Sequence, residues 1–132
     1  MRGLSSGASE VEKHLLEKSR SPDLRAYVIW VPKRGGTESD VPEATRFVSD
    51  PRSRHYWDEG GRLMQKYARR LGLPRDAWDV YLIYGQGTRW EDEPPRPDFW
   101  MHQLASGAPA PELDGEKFAK EAIARLMRRT SP

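Results

Sequence analysis

The sequence predicts an α/β fold, a three-layer sandwich in which a mixed central sheet carries helices on both faces. Three observations lead there. "AYVIWV" (Ala26 to Val31) and, but for Asp79, "WDVYLIY" (Trp78 to Tyr84) are apolar at consecutive positions, as strands buried on both faces are. Segments with a 3.6-residue apolar period precede, separate and follow these two runs. The chain has 132 residues, enough to bury one core and too few for two.

Composition narrows the function classes. Hydrophobic residues make up 36% and charged residues 32%, a polar but foldable mixture. Lys and Arg number 22 against 20 Asp and Glu, for a net charge of +2. So even a balance does not mark a nucleic-acid binder. The absence of cysteine excludes disulfides, thiolate metal sites and thiol catalysis in this chain. No apolar run approaches the ~20 residues of a membrane span. The start, "MRGLSSGASEVEK", lacks the apolar core of a secretory signal. The expectation is a cytoplasmic protein with no membrane partner.

The first periodic segment is "SEVEKHLLEK" (Ser9 to Lys18), with Ala8, Val11, Leu15 and Leu16 on one stripe. Ser9 and Glu12 have capping-box spacing, which predicts a helix start there. Pro22 in "SRSPD" ends it, and the strand Ala26 to Val31 follows, closed by Pro32. "KRGGTESD" reads as a loop. Asp40 and Pro42 open either a short helix through Val48 or a turn leading to an edge strand at "RFV". From Trp57 to Leu71, the residues Leu63, Met64, Tyr67, Ala68 and Leu71 form a helical stripe. Gly72 suits the left-handed position after a helix, with Pro74 just beyond.

"GQG" between "VYLIY" and "TRW" signals a hairpin, predicting that Trp78 to Tyr84 pairs with Thr88 to Trp90 and that Gln86 is its tip. Ala26–Val31 and Val80–Tyr84 are then expected to be adjacent. "EDEPPRPDFWMHQL" sets acids and prolines before Phe99, Trp100 and Met101, an extended path whose aromatics fold back onto the body. Asp114 caps the last helix, Gly115 to Arg129, with Phe118, Ala119, Ala122, Ile123 and Leu126 on its inner face and Arg125, Arg128 and Arg129 at its C-terminal end.

From Ala26 to Trp90, and above all in "VSDPRSRHYWDEGGRLMQKYARRLGLPRDAWDVYLIYGQGTRW", this order resembles the redoxin-like branch of the thioredoxin-like superfamily. The resemblance lies in an Asp-Pro turn, a helix, a strand, a glycine turn and a second strand. It implies one thioredoxin-like domain over residues 1–132, with a flexible N-terminus at 1–8 and a proline-rich acidic loop and aromatic segment at 91–112. It also implies a missing N-terminal strand, since only eight residues precede Ser9. The family's chemistry requires a cysteine where a helix N-terminus lowers its pKa; here that place is "RGLSSGA" (Arg2 to Ala8). The family's cis-proline position holds Trp78 and Asp79. The resemblance therefore implies no catalytic residue, no metal and no cofactor. It places a binding site where Ser5, Ser6 and Gly7 face Trp78 and Asp79.

Other constellations have plainer readings. His14, His55 and His102 share no metal-ligand spacing and read as cap or surface residues. Asp58-Glu59 and Glu91-Asp92-Glu93 read as a helix start and a solvated loop, with cation binding the alternative. Arg52, Arg54 and Arg62, with His55, Tyr56 and Trp57 between them, have the basic-aromatic look of a nucleic-acid surface but match no such module. Trp57, Trp78, Trp90, Phe99 and Trp100 serve either as core and lid or as a ligand surface. "GQGTRW" lacks the lysine of a phosphate loop.

Two functions remain open. One is a redox-inactive thioredoxin-like module that binds a protein or peptide, or a second copy of itself, at the Ala26–Val31 sheet edge. The other is an N-terminally truncated thiol- or selenol-dependent disulfide oxidoreductase whose redox motif lies upstream of Met1. No enzyme activity is expected of the chain itself.

Overall fold

The computed structural model describes residues 2–33, 35–104 and 108–128, with side chains from Gly7 to Met127. Its elements are α1 (Arg2–Val11), β1 (Ala26–Trp30), α2 (Val41–Ala44), β2 (Ser53–Trp57), α3 (Arg62–Leu71), β3 (Val80–Ile83), β4 (Phe99–His102) and α4 (Gly115–Arg128). The fold is mixed α/β with two small sheets. β1 pairs in parallel with β2, and β3 pairs antiparallel with β4.

The first helix starts earlier than Ser9 and runs through it, so Ser9 and Glu12 do not cap a helix start. α1 continues into one π-helical turn, Glu12–Leu16. That turn places both Leu15 and Leu16 inward, and both are buried. Leu16 joins Ala8, Trp30, Val31, Ala44, Val48 and Met64 in a cluster around β1. Leu15 joins Ile83, Met101, Phe118, Ala119 and Ala122 on one face of β3–β4.

β2 lies inside a stretch that reads as a turn and a helix start. Its alternation is what a strand requires: His55 and Trp57 share the face of Val28 and Trp30, while Arg54 and Tyr56 share the exposed face of Tyr27. Only then does α3 begin, five residues later than the expected Trp57 start. Gly61 has φ 70, a left-handed conformation that interrupts any helix begun at Trp57. Buried Asp58 reaches past it and caps α3, its carboxylate accepting from the Leu63 and Met64 N–H groups at 2.9 and 3.0 Å. α3 ends as expected, at Gly72 in the left-handed region.

Pairing within the second sheet differs from the expected hairpin. Thr88 to Trp90 is not a strand; β3 takes Phe99–His102 as its partner, with Ile83 opposite Phe99 and Val80 opposite His102. Trp90 instead turns onto the rings of Tyr67 and Tyr84. The proline-rich stretch between them is fastened to α3 and β3. Tyr84 donates to the Pro95 carbonyl at 2.7 Å, Arg70 to that of Pro94 at 2.8 Å and Lys66 to that of Asp92 at 2.6 Å. Prolines hold the path extended, so the next residues free to pair are the aromatics of β4.

The expected adjacency of Ala26–Val31 and Val80–Tyr84 is also corrected, and with it the single central sheet. The two strands belong to different sheets, and β1 is exposed on one face, with Tyr27 at 63%. Two helices nevertheless span both sheets. α1 and its π turn send Ala8 and Leu16 to the first sheet and Leu15 to the second, while α3 sends Met64 into the same cluster on the first sheet and Tyr67 and Leu71 to the opposite face of the second. α4 covers the second sheet beside α1, capped by Asp114, whose Oδ1 accepts from the Glu116 and Lys117 N–H groups.

Candidate functional site

The residues singled out for binding meet where α1 crosses β3. Asp79 and Tyr81 are two apart on an extended segment and so point to one face. The Tyr81 hydroxyl donates to Asp79 Oδ1 at 2.5 Å and lies 3.4 Å from Gln103 Oε1. The Gln103 N–H donates to the Asp79 carbonyl at 3.0 Å, which fixes the Asp79 backbone against β4. Asp79 is 4% exposed. Gly7 sits directly over this group, since a Cβ added there would overlap the Tyr81 hydroxyl and ring.

Burial pushes the Tyr81 phenol well above its ordinary range, and the adjacent Asp79 charge and hydrogen bond push the same way. The phenol is thus a fixed donor to Asp79 and has no capacity as a base. Phe118 of α4 stands edge-on to the Tyr81 ring, 6.4 Å between centroids. Tyr81 and Gln103 were not singled out from the sequence. The signal for Tyr81 was present, because alternation from Asp79 puts it on the same face.

Gly7 and Asp79 are therefore brought together through Tyr81. The Ser5 and Ser6 side chains lie outside the described residues; their backbone lies in α1. Gly7 is in the second turn of α1 rather than at a free helix start, so its N–H is not one of the four unsatisfied donors. Trp78 points elsewhere, into the cluster around Trp30. The corner is a packed junction, not a cleft.

The backbone edges offer a different kind of site. The Ala26 N–H donates to the Arg52 carbonyl and the Asp58 N–H to the Trp30 carbonyl. In a parallel ladder this phase directs the N–H and C=O groups of Tyr27 and Ile29 away from β2. On β3 the Gln103–Asp79 bond sets the phase, and the groups of Val80 and Leu82 point away from β4. β4 is different, since Pro111 and Leu113 bond the backbone of His102 on its outer edge.

The basic-aromatic stretch does not assemble as one surface. Arg52 is committed: its guanidinium holds both Asp50 oxygens and donates to the Leu16 and Ser21 carbonyls at 2.7 and 2.9 Å. A cation on the Leu16 carbonyl complements the end of the first helix. His55 accepts from the Trp30 indole at Nδ1, 2.9 Å, with Nε2 2.8 Å from the Val48 carbonyl. His102 is bonded to the Leu104 N–H and the Ala110 carbonyl, and His14 pairs with Glu10. Among the described residues, no group of three His, Asp or Glu side chains is placed to hold a metal ion. No described helix is long and apolar enough to cross a membrane.

Comparison of the chain with protein-family models, curated proteins and solved structures gives no match.

Proposed function

We propose that the chain is a redox-inactive protein- or peptide-binding module that takes up an extended segment by strand addition at β1. The observation that carries this reading is the outward aim of the Tyr27 and Ile29 backbone groups on a strand that, among the described residues, is paired along one edge. Such an edge is a template for another chain. Main-chain hydrogen bonds supply affinity in strand addition, and the neighbouring side chains supply selectivity. Tyr27 and Tyr56, stacked with centroids 6.4 Å apart on the exposed face, give the added strand an aromatic neighbour. Cysteine-free, the chain offers no group that forms a mixed disulfide. The thioredoxin-like relationship belongs to the same proposal and rests on the sequence resemblance from Ala26 to Trp90 alone.

The test is amide hydrogen exchange by NMR on the full chain, with a lysine-flanked Val-Ile-Val-Ile-Val peptide as probe. Binding should slow exchange at Tyr27 and Ile29, and N-methylation of alternate peptide residues should abolish it. A concentration-dependent dimer that protects the same amides without peptide would identify a second copy as the donor. A monomer whose Tyr27 and Ile29 amides stay unprotected at millimolar peptide defeats the reading.

A further inference from the structure

We infer that the exposed face of the β1–β2 sheet binds single-stranded nucleic acid, with bases stacked on Tyr27 and Tyr56 and a phosphate on Arg54. The site is the face of the sheet, not its edge, and is independent of strand addition. Alternation puts Tyr27 and Ile29 of β1 on one side with Arg54 and Tyr56 of β2. Tyr27 is directly opposite Arg54, and Ile29 opposite Tyr56. The two phenol rings are diagonal neighbours, centroids 6.4 Å apart and planes 27° from parallel. Each covers part of the other, yet Tyr27 remains 63% and Tyr56 48% exposed.

The face carries a cation and no anion. Neither strand, AYVIW or SRHYW, contains a carboxylate. Asp58, the next residue after β2, is buried and turned to the start of α3, where it accepts from the Leu63 and Met64 N–H groups. Arg52, just before β2, is drawn away to Asp50 and to the Leu16 and Ser21 carbonyls. Arg54 is exposed and, among the described residues, makes no hydrogen bond or ion pair. Its guanidinium is therefore available beside the two rings.

Parallel strands are ordinarily covered on both faces, and only the inner face of this pair is packed, by Ala8, Leu16 and Met64. Whatever covers the outer face must suit two phenols and a guanidinium. A second copy does not, because a two-fold pair sets the same patch against itself and brings like charges together. An acidic peptide neutralises Arg54 but brings no flat partner to the rings. A single strand of nucleic acid supplies both, since every base has a π-face and every phosphate accepts from arginine. The bases must be unpaired, because a duplex keeps their faces stacked on one another. The net charge of +2 gives the whole molecule little pull on a polyanion, so stacking has to supply most of the affinity.

The experiment titrates the full chain into fluorescein-labelled decamers of uridine and of thymidine, read by anisotropy over a series of salt concentrations. Binding of either supports the site, and the tighter of the two names the sugar it prefers. Tyr27→Ala and Tyr56→Ala should each weaken binding about fivefold or more, the effect of one lost base–ring stack. Tyr27→Phe keeps the ring and should keep the affinity. Arg54→Gln should lower the slope of log affinity against log salt by about 0.7, the share of one phosphate. Urea unfolding of each variant checks that it is folded during the titration. No binding at low salt would overturn the inference. So would wild-type affinity in the folded Tyr27→Ala, Tyr56→Ala double variant, or equal binding of an abasic decamer. Displacement of the decamer by polyglutamate at equal charge would also overturn it, since the face would then read charge alone and fit an acidic protein.

Discussion

Gly7 and Tyr81 touch where the first helix crosses β3, the helix backbone lying where no side chain at Gly7 could fit beside the phenol. The contact sets the distance between α1 and the second sheet, because Tyr81 is held from the other side by Asp79. Gly7→Ala should therefore destabilise the protein, although alanine favours a helix by ~1 kcal/mol over glycine. Overpacking costs ~1–3 kcal/mol, and here the ring cannot swing away without breaking its bond to a buried carboxylate. A lowered urea midpoint with unchanged slope is the expected result. Tyr81→Phe in the same background should recover part of the loss, because it removes the atom nearest the added methyl and the bond that holds the ring in place.

Acid stability should depend on Asp50. Hydrogen bonding from the Arg52 guanidinium holds its carboxyl down at about 2, against an ordinary 3.8. A carboxyl depressed in the folded state adds stability that is fully present above the unfolded value and is lost as pH falls through the folded one. The window is pH 4 to 2, and the contribution is on the order of 1–2 kcal/mol after allowing for solvent screening. Asp50→Asn should lower stability at pH 7 and flatten the decline between pH 4 and 2. Urea titrations at a series of pH values measure this directly.

What the sequence made legible follows from which signals are local. β1, β3, the body of α3 and α4 with its Asp114 cap were readable because apolar runs, helical stripes and caps are set by near neighbours. The Gly72 stop was readable for the same reason. β2 was not, since its alternation in "SRHYW" is carried by two residues that are polar in name. His55 behaves as an inward residue only because Trp30 and Val48 supply its hydrogen bonds. The false hairpin had a similar origin: "GQG" does turn the chain, but Tyr67, far back in the sequence, captures Trp90 together with Tyr84. At the site, Gly7 and Asp79 were named from the sequence, and the side chain that links them was not, because nothing local says that α1 crosses Tyr81.

Removing the His55 ring should expose the dependence of β2 on that hydrogen-bond chain. Trp30 is 2% exposed, and its indole N–H donates to His55 Nδ1, so Nε2 carries the proton toward Val48. His55→Ala leaves a buried donor without an acceptor, which costs ~1–3 kcal/mol beyond the lost stacking. Trp30→Phe removes the donor. In the double variant the two losses should sum to more than the measured total, because the orphaned donor is no longer there. Thermal or urea unfolding of the four proteins gives the coupling. Strict additivity would mean the bond contributes nothing.

Glu12 offers the opposite sign from Asp50, and a stabilising substitution. Its Oε2 is buried with no hydrogen-bond partner, inside the π turn. Burial raises its pKa, and the Asp50 and Glu17 charges raise it further, against smaller opposing effects of the Ser49 backbone and Arg52. A carboxyl raised in the folded state binds its proton more tightly there than in the unfolded chain. It therefore favours folding at low pH and opposes it once pH rises through the folded value and the group ionises. Glu12→Gln removes the charge and keeps the shape. At pH 7 it should be the more stable protein, because the ionised carboxylate it replaces is disfavoured there by burial and by the Asp50 and Glu17 charges. Below pH 4, where Glu12 is protonated in both states, the variant and the wild type should converge. A variant less stable than the wild type at pH 7 would show that the charge is compensated, Arg52 being the cation whose charge acts on it. Urea midpoints for both proteins at pH 7 and pH 3.5 decide between the two.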